Sequence, residues 1–231
     1  MLKALIWKDV RINRLPLLLG VFLLVIPYLL VGVTVTHMPL WQEATAASAW
    51  AVLLATGCHF SVMCSQPTLA ILSGHLIAVE RGDRSAEFLG YLPPSRILVL
   101  VSKAVVLAGA FLIIWGLNLL VHAIAFWLSP DTDAARELTS HMASLPRFAG
   151  LGLLAAGVGW CASANVDNSG PAVALGLAAP AVLFGVLQAT NSAFNTPHDL
   201  AFGTVYFTLC PILAAACFTI GTLSYCSRVE P

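Results

Sequence analysis

Apolar residues in this chain run in long unbroken stretches and do not alternate with polar ones. Six stretches contain no Asp, Glu, Lys or Arg: residues 15–42, 44–79, 104–130, 148–166, 168–198 and 200–227. All 11 basic and all 11 acidic residues lie outside them. A helix needs about 20 mostly apolar residues to cross a bilayer. Each stretch can therefore supply one span, and even 44–79 is too short for two spans and a turn. Backbone hydrogen bonding in lipid permits only helices or closed barrels, and runs without a period of two exclude the barrel. The pattern predicts an all-α integral membrane protein with six transmembrane helices at about 15–36, 49–78, 104–128, 148–164, 170–190 and 201–226. No internal repeat interrupts them, so residues 1–231 read as a single transmembrane domain.

Composition narrows the class further. The chain is 59% hydrophobic and 10% charged, and its mean hydropathy is +0.88. A soluble domain carries about 25% charged residues, so a water-soluble globule, a disordered chain and a nucleic-acid-binding domain are excluded. Charge position then sets orientation. Lys3, Lys8, Arg11, Arg14, Arg81, Arg84, Arg96, Lys103 and Arg228 share one side of a six-span arrangement, and Arg136 and Arg147 the other. The positive-inside rule places both termini in the cytoplasm of a multi-pass plasma-membrane protein.

Residues 1–14 are basic and mixed. Leu2, Leu5, Ile6 and Val10 fall on one helical side, Lys8 and Arg11 opposite, and Lys3, Trp7 and Arg14 on a flank. This predicts an N-terminal interfacial helix lying on the membrane. Residues 165–169 form a minimal cytoplasmic turn, with Pro171 suited to the first turn of the next helix. On the outer side, residues 129–144 read as a short amphipathic surface helix and 191–199 as a loop or shallow re-entrant segment. Pro27, Pro67, Pro180 and Pro211 lie inside spans, where each removes a backbone donor and can kink its helix.

The long cytoplasmic segment 80–103 carries the functional argument. Asp83 caps a helix that starts near Arg84, Glu87 suits its first turn, and Pro93-Pro94 end it. Phe88, Leu89, Tyr91 and Leu92 cluster on about two turns, flanked by Glu80, Arg81, Arg84, Glu87 and Arg96. Such a helix is too small to bury its own aromatics and calls for a groove on a partner. Folding back onto the headgroup zone is the competing outcome.

The run Glu87, Leu89, Leu92, Pro93, Ser95, Arg96, then Ser102 and Lys103, resembles the coupling segment of type-2 permeases of ATP-binding-cassette (ABC) transporters. The short basic helix before six spans is similar as well. Where that family usually has Gly-Thr before the glutamate, this chain has Ser85-Ala86. The resemblance implies a short cytoplasmic coupling helix between spans 2 and 3 that docks into a separate ATP-binding subunit. It also implies a second permease copy as partner, and usually export. ATP and magnesium would belong to the partner subunit. This chain has no G-x-x-x-x-G-K-[ST] loop and no Gly-Lys pair, so no cofactor and no enzymatic activity are expected in it. The alternative is a non-transporting membrane anchor or regulatory module for a cytosolic partner.

Other constellations are weaker. Gln66 and His75 in the second span, Asn118 and His122 on one face of the third, and Gln188 in the fifth are possible pathway-lining groups. Polar groups of this kind also serve simply as interhelical hydrogen-bonding partners, and that structural role is the favoured reading. Gly150, Gly152, Gly157 and Gly159 predict close helix approach, internal or between copies. Cys58, His59 and Cys64 lack a second ligand pair, so no metal site is expected, and no G-x-S-x-G or other catalytic motif occurs.

Overall fold

A computed structural model describes residues 1–36, 46–82, 95–128, 132–194 and 199–227. Among them the chain is helical, without strands, in seven helices: α1 Leu2–Ile12, α2 Arg14–Thr36, α3 Ala46–Gly82, α4 Arg96–Leu128, α5 Thr132–Ser163, α6 Ser169–Phe194 and α7 Asp199–Ser227. Five are long and apolar enough to cross a membrane: Arg14–Thr34, Leu53–Glu80, Arg96–Leu128, Ser169–Thr190 and Thr204–Ser227. Their lengths and hydropathy are those of a multi-pass membrane protein. The expected fourth span corresponds to Phe148–Ser163, a shorter apolar run within α5.

The side-chain distribution is that of a protein whose solvent is lipid. Leu18, Phe22, Leu29, Leu112, Val182 and Leu223 face outward. The buried positions include many small residues: Ala51, Ala55, Ser61, Ser65, Ala70, Ser73, Ala156 and Ala172. In water such an arrangement would be unstable. Between lipid-bathed helices, small residues let backbones approach and gain dispersion contacts. α3 is the most enclosed helix: 67% of its most apolar window is buried, against 11–39% in the other four spans.

Three helix limits differ from the sequence expectation. α3 continues to Gly82 and α4 begins at Arg96, so Glu80 and Lys103 are helical residues rather than parts of a loop. The outer helix and the fourth span form one continuous helix, α5. Residues 83–94, which hold the expected coupling helix, and 195–198 lie outside the described residues.

The chain forms two compact units. Residues 1–17, 67–109 and 150–231 make the first, residues 18–66 and 110–149 the second. In the first unit, glycines set the helix spacing. A Cβ on Gly157 of α5 would lie 2.8 Å from Ala214 O of α7, and one on Gly159 would lie 3.1 Å from Ala70 O of α3. The close approach predicted for this span is thus internal. Leu154, Tyr206 and Cys210 form a core across α5 and α7, and Tyr206 donates to Pro180 O of α6 at 2.8 Å. The α5–α6 turn is built as its sequence suggests. Asn168 Oδ1 accepts the Gly170 N–H at 3.0 Å, an N-cap for α6. Asn165 Oδ1 accepts from Ser224 Oγ at 2.6 Å, pinning the turn to α7. In the second unit, Ala51 and Ala55 of α3 pack on Ala125 of α4.

Candidate functional site

The described residues concentrate their buried charge in one place, within the first unit. α1 stops at Ile12, and Asn13 breaks it from α2. The Asn13 backbone N–H donates to Asp9 O at 3.0 Å, and Asn13 Nδ2 donates to the same carbonyl at 2.8 Å. Asn13 Oδ1 is left as acceptor and lies 3.0 Å from His75 Nδ1 on α3. His75 Nδ1 therefore carries the proton.

Asp9 sits in the last turn of α1 and Glu80 in the last turn of α3. Carboxylates are disfavoured at helix C-termini by the backbone dipole. Two lysines offset this. Lys103 Nζ on α4 lies 2.9 Å from Glu80 Oε2, 3.4 Å from Asp9 Oδ1 and 2.7 Å from Leu76 O. An ammonium has three N–H donors, and each has an acceptor here. The residue is 0% exposed. Lys8 Nζ binds Glu80 Oε1 and lies 4.0 Å from Asp9 Oδ1. Ser102 Oγ donates to Asp9 Oδ2 at 2.5 Å. Two cations and two anions cancel, and every carboxylate oxygen has a donor or cation. A buried charge network is tolerated only in this condition.

The expected apolar side of α1 is the enclosed one, with Leu5 buried and Leu2, Ile6 and Val10 half-buried, but Asp9 lies on it too. Leu5, Asp9 and Asn13 are buried while Lys3, Trp7 and Arg11 are exposed. The helix turns an acid inward, onto protein, and Lys8 reaches into the cluster while staying partly exposed. The sequence pattern marks neither Asp9 nor Asn13, gives Lys8 only a place opposite the apolar side and among the cytoplasmic charges, and gives Ser102 and Lys103 a place in the motif. One signal was present. Asp9 is the sole acid before Glu43, and Lys103 is a lone charge between two apolar runs. An ionisable residue in such a setting implies a partner.

Of the expected coupling residues, Glu80 belongs to the cluster, Arg81 lies in the last turn of α3, and Arg96 opens α4 on an exposed face. Arg84, Glu87, Phe88, Leu89, Tyr91 and Leu92 lie outside the described residues. The intramembrane polar residues are dispersed. His75 joins α3 to Asn13, as above. In the second unit, Asn118 accepts from Tyr28 Oη at 2.7 Å, donates to Ile114 O at 2.7 Å, and offers its carbonyl to Cys58 Sγ at 3.3 Å. Gly57 makes room for the Tyr28 ring: a Cβ there would lie 2.5 Å from Tyr28 Cδ1. Gln66 Nε2 bonds to Val62 O of its own helix at 2.8 Å. His122 is buried and Gln188 exposed.

The second unit also holds a recess of about 350 Å³ whose lining includes Leu23, Pro27, Leu30, Thr34, Phe60 and Cys64. Thr34 Oγ1 is occupied by the carbonyls of Leu30 and Val31. The recess offers shape without an orienting polar group. No group of three or more His, Cys, Asp or Glu at metal-binding spacing occurs among the described residues.

No protein-family model, no curated protein and no solved structure matches the chain.

Proposed function

We infer that the chain is the membrane-spanning permease subunit of an ABC transporter, an exporter. In this reading it has six spans with both termini cytoplasmic in the plasma membrane, and it works as a pair of permease copies with separate ATP-binding subunits. The reading rests on the motif around Glu87–Lys103 and on the layout of spans around it. The observation that carries it is the buried Glu80–Lys103 ion pair at 2.9 Å. It ties the end of α3 to the start of α4, the two helices that lead into and out of residues 83–94. A segment that passes a partner's motion to the spans needs stiff attachments at both ends, and a fully paired ion cluster in a low-dielectric setting supplies them. Ligand and nucleotide would then act by differential binding to two conformations of the spans.

The test is whether a neighbouring gene encodes a protein with a phosphate loop, followed by co-expression of that protein with this chain. The expected result is co-purification, with cargo-stimulated ATP hydrolysis in liposomes. Phe88→Asp with Leu89→Asp should abolish association while the chain still inserts. Association unchanged by that pair removes the docking role. Association without any cargo-dependent hydrolysis would favour the anchor or regulatory module.

A further inference from the structure

α1 has the composition of a membrane-surface anchor, yet its buried stripe is Leu5, Asp9 and Asn13. A helix held by lipid alone would turn Asp9 toward water, because a carboxylate gains nothing from the acyl boundary. Asp9 instead faces Ser102 and Lys103 of α4. Lys103 is the point where three helices meet. Its stem belongs to α4, one N–H points to Asp9 on α1, and two point to Glu80 and Leu76 O on α3.

We propose that Lys103 is a positioning residue that locks α1, the end of α3 and the start of α4 into a single body. α1 is then a strut docked on protein and not an independent anchor in the headgroup layer. In its functional sense this rests on the permease reading, where that body is the foot of residues 83–94. Its physical content is separate. Without Lys103, Asp9 keeps only Ser102 and a Lys8 ammonium 4.0 Å away that already serves Glu80. One negative charge is then unbalanced in a closed site. The least costly relief is for α1 to swing out about Asn13, where the helix breaks, and hydrate Asp9.

The experiment is hydrogen–deuterium exchange of the full chain in lipid nanodiscs, comparing wild type with Lys103→Met, Lys103→Arg, Asp9→Asn and the double variant Asp9→Asn/Lys103→Met. In Lys103→Met the amides of α1 should exchange about tenfold faster or more, while those of α6 and α7 keep their rates. Lys103→Arg should hold α1. The double variant should show less than the product of the two single effects, because both act on one contact. Unchanged α1 exchange in Lys103→Met overturns the proposal. So does an equal rise in all helices, which would mean a general loss of stability, or two single effects that simply multiply. If Lys103→Met does not insert, Asp9→Asn decides on the same measurement: faster exchange confined to α1 supports the lock, and unchanged exchange refutes it. Co-purification with the ATP-binding protein is scored separately. Absence of that association in the wild type, with α1 locked, counts against the permease reading alone.

Discussion

Glu80 and Lys103 are 23 residues apart in sequence, yet Oε2 and Nζ lie 2.9 Å apart inside a site that also holds Lys8 and Asp9. The two lysines share the work unequally. The Lys103 side chain is 1% exposed and that of Lys8 is 32% exposed. Glu80→Ala removes a partner from a buried cation and should cost about 3–5 kcal/mol. Lys8→Ala removes a partly solvated cation but leaves the buried Glu80 Oε1 without it, and should cost less, about 1–3 kcal/mol. Denaturation of the detergent-solubilised chain, followed by helical circular dichroism, measures both. Equal losses would contradict the division.

Gly157 and Gly185 make a matched pair. A methyl group at Gly157 would meet Ala214 O at 2.8 Å and Ala214 Cα at 3.0 Å, both backbone atoms that cannot rotate away. Gly185 has nothing within 4 Å. Gly157→Ala should destabilise by about 1–3 kcal/mol through overpacking. Gly185→Ala should be neutral or stabilising by up to about 1 kcal/mol from helix propensity. The melting temperatures of the two variants should move in opposite directions, or the second should not move.

Tyr28 Oη and Asn118 Oδ1, at 2.7 Å, tie α2 to α4. Hydrogen bonds between membrane helices are worth about 0.6 kcal/mol on average. Tyr28→Phe should therefore cost about 0.5–1.5 kcal/mol, since it leaves the Asn118 oxygen without this donor. A double-mutant cycle of Tyr28→Phe with Asn118→Ala should show coupling. Strict additivity would mean that the bond contributes nothing.

Asn168 caps α6 through the Gly170 N–H at 3.0 Å. Asn168→Ala should cost about 1 kcal/mol, and Asn168→Asp should be tolerated because aspartate accepts the same bond. Exchange at the first amides of α6 reports the cap directly.

The sequence made the apolar architecture legible because lipid imposes a simple demand: backbone groups must bond within the helix, over a fixed thickness. Helix ends were less legible. The reading broke segments at charges, and placed Glu80 and Lys103 outside the spans. A charge with a buried counter-charge does not end a helix, and pairing between residues as distant as Asp9 and Lys103 leaves no local trace. Asn118 was identifiable as a polar residue inside a span. Its partner Tyr28 was not, since a tyrosine among leucines looks like another apolar filler. Gly157 and Gly159 announced a close contact, and only the fold shows that α7 and α3 make it. Asp9 is the instructive miss: one acid among apolar and basic residues at the start of a membrane protein was evidence of a counter-ion elsewhere.

The order of synthesis gives the Asp9 cluster a temporal side. Ribosomes deliver the N-terminus first, so Lys8, Asp9 and Glu80 emerge before Lys103. Both acids and one cation are waiting when the last member arrives, and the lysine at position 103 need never sit alone in an apolar setting. A nascent chain halted short of that residue would carry an unfinished knot, its first helix held by Lys8 and Asn13 but with Asp9 still short of its buried cation.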